Sequence, residues 1–174
     1  PMLGPAVEDA AVAEQVERYI AAMKEVVPNV EFVACKDYKS VCEDADVITS
    51  CAPIVVDPER PVKVGMLKKD VFCMTSDYDS TFDAEVVNKG SAFVCDNRNQ
   101  YLWTQEHGVY FQNGYPLADE IYADMGEVVA GKAEPVRKGR RTCLFMGIAS
   151  HDVMTAKLIL EKAVAKNVGT MLKL

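Results

Sequence analysis

The sequence predicts an α/β domain in which a parallel β-sheet is flanked by helices. Short apolar runs alternate along the chain with segments whose apolar residues recur at helical spacing. The apolar runs are unbroken rather than alternating, which is typical of strands that are covered on both faces. Several runs end in small or polar residues, and ligands of open α/β sheets bind where the strands end.

Helices are predicted where apolar residues recur every three or four positions. Residues 7–26 show this pattern and are followed by Pro28 and Asn29, which end a helix. Residues 151–166 form a second long amphipathic segment. Shorter helical segments are predicted at residues 40–43, 83–88 and 116–130, the last of which is closed by Gly131.

Strands are predicted in short runs that are rich in β-branched and aromatic residues. These runs cover residues 30–34, 46–51, 71–74, 92–95 and 142–146. Because they alternate with helices, we expect them to form one parallel sheet.

The composition of the 174 residues is that of a globular domain. Hydrophobic residues make up 49% of the sequence, and the formal net charge is −7. Such an acidic chain lacks the clustered cations that a nucleic-acid surface requires. We interpret the one basic run, residues 137–141, as a solvated loop first and as a phosphate or carboxylate contact second. No stretch has the length of a transmembrane helix and no signal peptide is visible, so no membrane partner is expected.

The six cysteines show no CxxC spacing, and no Cys/His cluster has zinc spacing, so no metal site is expected. Cys51, Cys73, Cys95 and Cys143 each lie in an apolar run, where a buried free thiol acts as a small hydrophobic group. Free thiols indicate a reducing, cytoplasmic environment.

Three aspartates follow the predicted strand at residues 71–74. Asp83 directly precedes a predicted helix, where an aspartate ordinarily caps the helix, and Asp79 is interpreted as a second capping or turn residue. Asp77 follows the strand at once and comes too early to cap the helix. It is expected to face the crevice, where partial burial can raise the pKa of a carboxyl group into the range of proton transfer.

Other candidate residues have an ordinary structural interpretation. His107 is expected in an exposed loop, and Trp103 is expected to pack on a neighbouring helix, or else to form a stacking platform with Tyr101. Ser150 is the expected N-cap before His151. The glycine turn that precedes this helix could alternatively present free N–H groups to a ligand.

Several motifs occur together in a fixed order. They are residues 45–53 (ADVITSCAP), 75–87 (TSDYDSTFDAEVV), 125–132 (MGEVVAGK), 144–152 (LFMGIASHD) and 167–170 (NVGT). In this order they resemble the ornithine cyclodeaminase/μ-crystallin family, which also contains archaeal-type alanine dehydrogenases and imine reductases. The resemblance runs over most of the chain, from about residue 13 to the end.

The resemblance implies a Rossmann-type domain that binds NAD or NADP, together with a substrate domain that also forms a homodimer. The catalytic aspartate of the family matches Asp77, which would move protons while a hydride passes between the cofactor and a small amino or imino acid. The residues that match cofactor-lining segments are Cys51, Ala52, Val71, Phe72, Cys73, Met74, Met146 and Gly147.

The chain departs from the family pattern at several points. Thr75 and Ser76 replace two glycines, and the lysine that follows the family's aspartate has no counterpart. The glycine-rich GxGxxG turn that holds a dinucleotide, the strand before it and the substrate domain are not recognisable in the sequence. We therefore expect residues 1–150 to be the remainder of a dinucleotide-binding domain and residues 151–174 to return toward the substrate domain, and we expect the 174 residues alone to be inactive.

Three functions are compatible with the sequence. The first is the C-terminal part of an NAD(P)-dependent cyclodeaminase, amino-acid dehydrogenase or imine reductase. The second is a non-catalytic cofactor-binding protein of the μ-crystallin type. The third is an α/β interaction domain in which Asp77 is structural. The sequence itself decides neither between them nor between NAD and NADP.

Overall fold

The computed structural model describes residues 2–3, 10–170 and 172. The strands in this part of the chain are β1 (Met2–Leu3), β2 (Phe32–Val33), β3 (Val47–Ser50), β4 (Val71–Thr75), β5 (Ala92–Cys95), β6 (Ala123–Asp124) and β7 (Arg140–Leu144). The helices are α1 (Ala10–Val26), α2 (Tyr38–Cys42), α3 (Ala84–Asn88), α4 (Arg98–His107), α5 (Met125–Val129) and α6 (Ala149–Ala165), with a 3₁₀ turn at Val64–Met66.

The main sheet has five strands in the order β3-β4-β7-β5-β6, and every neighbouring pair is parallel. The short strands β1 and β2 form a separate parallel pair, so the predicted strand at residues 30–34 is reduced to β2 and does not join the main sheet. This arrangement confirms the predicted α/β class with a parallel sheet flanked by helices.

The core lies mainly on one face of the main sheet. Val71, Cys73 and Thr75 alternate along β4 and have no exposed surface. Phe72 and Met74 point to the opposite face and are half-buried. The sheet is therefore covered more completely on one face than on the other.

Side-chain caps explain where most of the short helices begin. Asp83 accepts a hydrogen bond from the Glu85 backbone N–H at 2.9 Å, which confirms its predicted capping role. Burial raises the pKa of Asp83, but its hydrogen bonds with Lys63 and the Glu85 N–H outweigh this effect and hold the pKa below its usual range. The capping side chains of α2, α4 and α5 are Asp37, Asn97 and Asp124.

One helix prediction was largely wrong, and one helix was not predicted. Residues 116–124 form a loop and the strand β6, and only Met125–Val129 of the predicted helix is helical. Helix α4 was not predicted, because its ten residues are mostly polar and contain no sustained apolar repeat. It packs through Tyr101, which is fully buried and donates a hydrogen bond to the Pro116 carbonyl at 2.9 Å.

Helix α4 also changes the interpretation of two candidate residues. His107 is the last residue of α4 rather than a loop residue, although its side chain is half-exposed as expected. Trp103 is 62% exposed and stacks on the imidazole of His107, with ring centroids 4.9 Å apart, instead of packing on a neighbouring helix.

Helix α6 is exposed along its whole length. None of its 17 residues is buried, and Val153, Ile159 and Leu160 are each more than 60% exposed. The prediction of Ser150 as its N-cap was wrong, because the N-cap is Ile148 and no side chain caps it. A helix with exposed apolar residues is usually covered by another element, because most of the stability of a helix in a protein comes from packing of its apolar face.

Burial of the cysteines agrees with the sequence at three of the four predicted positions. Cys73, Cys95 and Cys143 are buried, whereas Cys51 is exposed just after β3. Burial raises the pKa of each of the three buried thiols to about 12. Cys42, which was not singled out, is also buried.

Within the described ranges, no helix combines the length and the apolar content that a membrane span requires.

Candidate functional site

The carboxyl ends of four neighbouring strands form one continuous edge of the main sheet. Backbone hydrogen bonds extend the ladder one residue past β4, β7 and β5, toward the loops. The Ser76 N–H donates to the Ser50 carbonyl at 3.0 Å. In the same way, the Phe145 N–H donates to the Thr75 carbonyl at 2.8 Å, and the Asp96 N–H donates to the Leu144 carbonyl at 3.1 Å. This edge is the place where ligands of such sheets bind.

Asp77 lies at this edge, directly after β4, and has no exposed surface. Its Oδ2 accepts hydrogen bonds from the Ala52 backbone N–H at 3.0 Å, the Thr81 hydroxyl at 2.7 Å and the Ser50 hydroxyl. Its Oδ1 accepts a hydrogen bond from the Thr75 hydroxyl. The carboxylate therefore joins the ends of β3 and β4 to the turn that follows β4.

The carboxylate of Asp77 is enclosed rather than open to a crevice. Ser50 is 8% exposed and Thr75 has no exposed surface, so their hydroxyl groups shield it from solvent. Thr81 is half-buried and thus more exposed than Ser50 or Thr75, so the route through its hydroxyl is the least buried that these three residues offer. Any exchange of protons between Asp77 and a bound molecule has to use this route or a local opening of the cluster.

A second aspartate organises the ends of β5 and β7. Asp96 is 3% exposed, and its Oδ2 accepts the backbone N–H groups of Met146 at 2.8 Å and Gly147 at 2.7 Å. Gly147 has a φ of +88°, in the left-handed region that glycine tolerates best, and a Cβ there would have no neighbour within 4 Å. The sequence suggested that this glycine turn could present free N–H groups to a ligand. The Gly147 N–H instead donates to Asp96.

A buried ion pair lies behind the turn that follows β4. Arg60 and Asp79 are 8% and 1% exposed, and Nη2 of Arg60 lies 2.5 Å from Oδ2 of Asp79. The same carboxylate oxygen accepts the Phe111 backbone N–H at 3.0 Å. Asp79 is therefore a turn residue, as predicted, but its side chain pairs with Arg60 and does not cap a helix.

The predicted cofactor residues fall into two groups. Cys51, Ala52, Met146 and Gly147 all lie at or just beyond the carboxyl edge, and Cys51 and Ala52 are exposed. The others belong to β4 itself and lie further from the edge. Within β4, Val71 and Cys73 are fully buried in the core, whereas Phe72 and Met74 lie on the less covered face.

An exposed apolar segment follows β3 at the same edge. Ile54, Val55 and Val56 are 45%, 41% and 62% exposed, and the Val55 N–H donates to the Ser80 hydroxyl at 3.2 Å. This segment provides an apolar wall beside the exposed Cys51, which is a suitable surface for an aromatic ring of a ligand.

Two arginines of the basic run, Arg140 and Arg141, are used within the fold. Arg140 donates to the Val86 and Glu85 carbonyls at 2.8 and 3.1 Å, at the end of α3. Arg141 forms an ion pair with Asp70 at 2.7 Å. Both residues belong to β7, so the interpretation of this part of the run as a solvated loop was wrong.

Sequence reasoning missed three residues of this edge, namely Arg60, Asp96 and Thr81. Asp96 gave a usable signal, because it follows a predicted strand at once, as Asp77 does. Arg60 gave none, because it lies in an irregular segment 19 residues from its partner.

The parallel sheet and the polar cluster at its carboxyl edge define a Rossmann-like α/β domain. The sequence matches the ornithine cyclodeaminase/mu-crystallin family over residues 11–167, and the chain belongs to this family.

Known relatives share this fold. Alanine dehydrogenase of Archaeoglobus fulgidus is 27% identical, over 80% of this chain and 49% of that protein. The structure of Thermococcus litoralis Δ1-pyrroline-2-carboxylate reductase in complex with NADH and L-proline is similar, with a TM-score of 0.73, 22% identity, and coverage of 95% of this chain and 51% of that one. An archaeal alanine dehydrogenase dimer with bound NAD gives a TM-score of 0.68 at 20% identity, over 93% and 50% of the two chains. The chain therefore spans about half the length of these relatives.

Proposed function

We propose that this chain is the C-terminal part of an NAD(P)-dependent oxidoreductase that acts on a small amino or imino acid. The observation that supports this most strongly is the position of Asp77, which the family resemblance matches to a catalytic aspartate. It lies at the carboxyl edge of the sheet and is hydrogen-bonded to Ala52 of the neighbouring strand end. The relatives named above, an alanine dehydrogenase and a proline-related reductase, suggest the substrate class.

The residues at the edge fit one part of a dinucleotide. Cys51 and the segment Ile54 to Val56 offer an exposed apolar surface, and the open space at Gly147 allows a flat ring to approach the backbone. The described residues contain no glycine-rich turn for the pyrophosphate, so this anchor has to come from outside them. When bound, a nicotinamide supplies or accepts the hydride of the proposed reaction.

In this proposal Asp77 handles the proton of the reaction. Its Oδ2 exchanges a proton with the substrate nitrogen or with water through the Thr81 hydroxyl, at 2.7 Å. Ala52 and Ser50 hold the same oxygen in place, so the carboxylate does not need to reorient. The apolar wall next to Cys51 excludes water from the reacting carbon.

A second candidate function is that of a non-catalytic NAD(P)-binding protein. The observation that favours it is the enclosure of Asp77, whose two carboxylate oxygens already accept hydrogen bonds from Ser50, Ala52, Thr75 and Thr81. A buried carboxylate with this set of hydrogen-bond partners can have a purely structural role.

We also propose that α6 docks on a substrate and dimerisation domain that lies outside residues 1–174. The exposed apolar residues of α6 need a covering surface, and this chain spans only about half the length of its relatives. One of these relatives is an alanine dehydrogenase dimer, which makes a homodimer the assembly to test first.

The test is to titrate the full-length protein, of which this chain is proposed to be the C-terminal part, with NADH and NADPH, and to assay turnover of alanine, proline and their imino or keto forms. Dinucleotide fluorescence, including energy transfer from Trp103, the one tryptophan of the chain, reports binding. An enzyme should lose turnover in Asp77→Asn and keep its dinucleotide affinity. Binding without turnover would support the second candidate, and no response to either dinucleotide would contradict both.

A further inference from the structure

The turn that carries Asp77 is held from its far side by a second set of contacts. The Ser80 N–H donates to the Asp77 carbonyl at 3.1 Å, which closes the turn around Tyr78 and Asp79. Tyr78 has a φ of +58°, a conformation that is uncommon for a residue other than glycine. Local sequence preferences therefore do not favour this turn, and tertiary contacts have to stabilise it.

Arg60 supplies most of these contacts. Its Nη2 pairs with Oδ2 of Asp79 at 2.5 Å, and its Nε donates to the Asp79 carbonyl at 3.2 Å. Nη2 also donates to the Gln112 carbonyl at 2.8 Å, and Nη1 donates to the Asn113 carbonyl at 3.4 Å. One guanidinium thus connects the Asp77 turn to the loop that follows α4.

Aromatic packing fixes the same turn to the same loop. The ring of Tyr78 lies between Tyr110, with an edge-on contact at 5.0 Å, and Phe111 at 5.1 Å. The guanidinium of Arg60 lies 4.7 Å from the centre of the Tyr115 ring. The turn therefore has little freedom to move relative to the loop.

The ion pair is a costly way to achieve this if stability alone is needed. Both side chains are removed from water, and Oδ1 of Asp79 has no hydrogen-bond partner among the described residues. Apolar residues of similar size often stabilise a core as well as a buried ion pair does. The presence of this ion pair is therefore better explained by a need to hold the turn in one specific orientation than by a need for stability.

We infer that Arg60 and Asp79 are positioning residues that fix the orientation of the Asp77 carboxylate for proton transfer. This inference rests on the proposed function of Asp77. Asp79 lies two residues from Asp77 and its side chain binds Arg60 and Phe111, whereas that of Asp77 binds Ser50 and Ala52. The turn is thereby held on both sides.

The experiment compares Asp79→Asn and Arg60→Lys with the control Lys63→Gln in the complete enzyme. Lys63 forms a half-exposed ion pair with Asp83, so its loss removes a charge near Arg60 without touching the turn. Two properties are measured: kcat and KM with NADH or NADPH, and the ¹³C chemical shift of the Asp77 carboxyl group, assigned by its loss in Asp77→Asn. Melting curves establish that each variant is folded, and Arg60→Lys keeps the charge if Asp79→Asn does not fold.

We expect both variants to lower kcat roughly 10- to 100-fold with little change in dinucleotide affinity, since small misplacements of a catalytic group have effects of this size. The Asp77 carboxyl signal should shift in both variants and stay unchanged in Lys63→Gln. An unchanged signal and unchanged kcat in the folded variants would overturn the inference. If the wild-type protein shows no turnover, the proposed function fails, and the Asp77 signal alone still decides whether the pair orients this carboxylate.

Discussion

The carboxylate of Asp96 accepts the backbone N–H of Gly147 at 2.7 Å, across 51 residues of sequence. With the Met146 N–H at 2.8 Å on the same oxygen, this contact fixes the path of the chain from β7 into α6. It also engages the Gly147 N–H, so that this group is no longer free to bind a ligand. Asp77 and Asp96 therefore play similar structural parts, one at the junction of β3 and β4 and the other at that of β5 and β7.

Replacing Asp96 with Asn should destabilise the fold by about 2 to 4 kcal/mol. An amide oxygen is a weaker acceptor than a carboxylate, and the amide NH2 group would face backbone donors. The free energy of unfolding from urea titrations measures the change. Asp119→Asn is the matched control, because Asp119 is exposed and should change stability by less than about 0.5 kcal/mol.

The cysteines should differ sharply in their reaction with iodoacetamide at pH 8. Cys51 is exposed and should react in the native protein, whereas Cys73, Cys95 and Cys143 are buried and should react only after unfolding. Peptide mass spectrometry locates the label. Rapid labelling of Cys143 in the native state would contradict the packing of β7, and Cys51→Ser should remove the fast labelling at position 51 but leave any labelling of the partly exposed Cys35 unchanged.

Stability should fall as the pH rises above about 9. Burial raises the pKa of the Cys143 thiol from its ordinary value of 9.0 to about 12. Between these values the unfolded chain has lost a proton that the folded chain retains, so the stabilisation is full below pH 9 and is lost toward pH 12. In this pH range the free energy of unfolding falls by up to about 1.4 kcal/mol per pH unit for each such thiol.

The contribution of one thiol can be isolated with Cys143→Ala. Urea titrations at pH 8 and pH 10.5 should show a smaller pH-dependent loss of stability in this variant than in the wild-type chain. Cys51→Ser is the control, since this residue is exposed and its substitution should leave the pH dependence unchanged. Identical slopes in all three proteins would argue that Cys143 is not buried as a thiol.

Leu160→Gln tests the proposed docking of α6. Leu160 is 61% exposed here, so the substitution should change the stability of the 174-residue chain by less than about 0.5 kcal/mol. In a protein that also contains the proposed substrate domain, the same change should cost about 1 to 3 kcal/mol, because the leucine would be buried. Equal effects in the two contexts would mean that α6 has no such partner. Lys157→Gln, on the same helix, should have little effect in either.

Much of the fold could be predicted from local patterns. Unbroken apolar runs identified the strands of the main sheet except β6, which has only two residues. Asp83 was assigned as a helix cap from its place before an apolar repeat, and the structure confirms this. Helix α4 was not predicted, because it has no repeating apolar face and is held to the core mainly by the buried side chain of Tyr101.

By itself, the sequence determined the parallel α/β class, the location of Asp77 at a strand end and the family motifs, because hydrophobic periodicity and caps act over a few residues. Tertiary structure alone decided that Asp77 is enclosed, that Asp96 binds Gly147, and that Arg60 pairs with Asp79. The long-range partners in these contacts lie far apart in sequence: 19 residues separate Arg60 from Asp79, 25 separate Ala52 from Asp77, and 51 separate Asp96 from Gly147. They meet because β7 inserts between β4 and β5, and because irregular loops bring single side chains to the same edge, which no local pattern encodes.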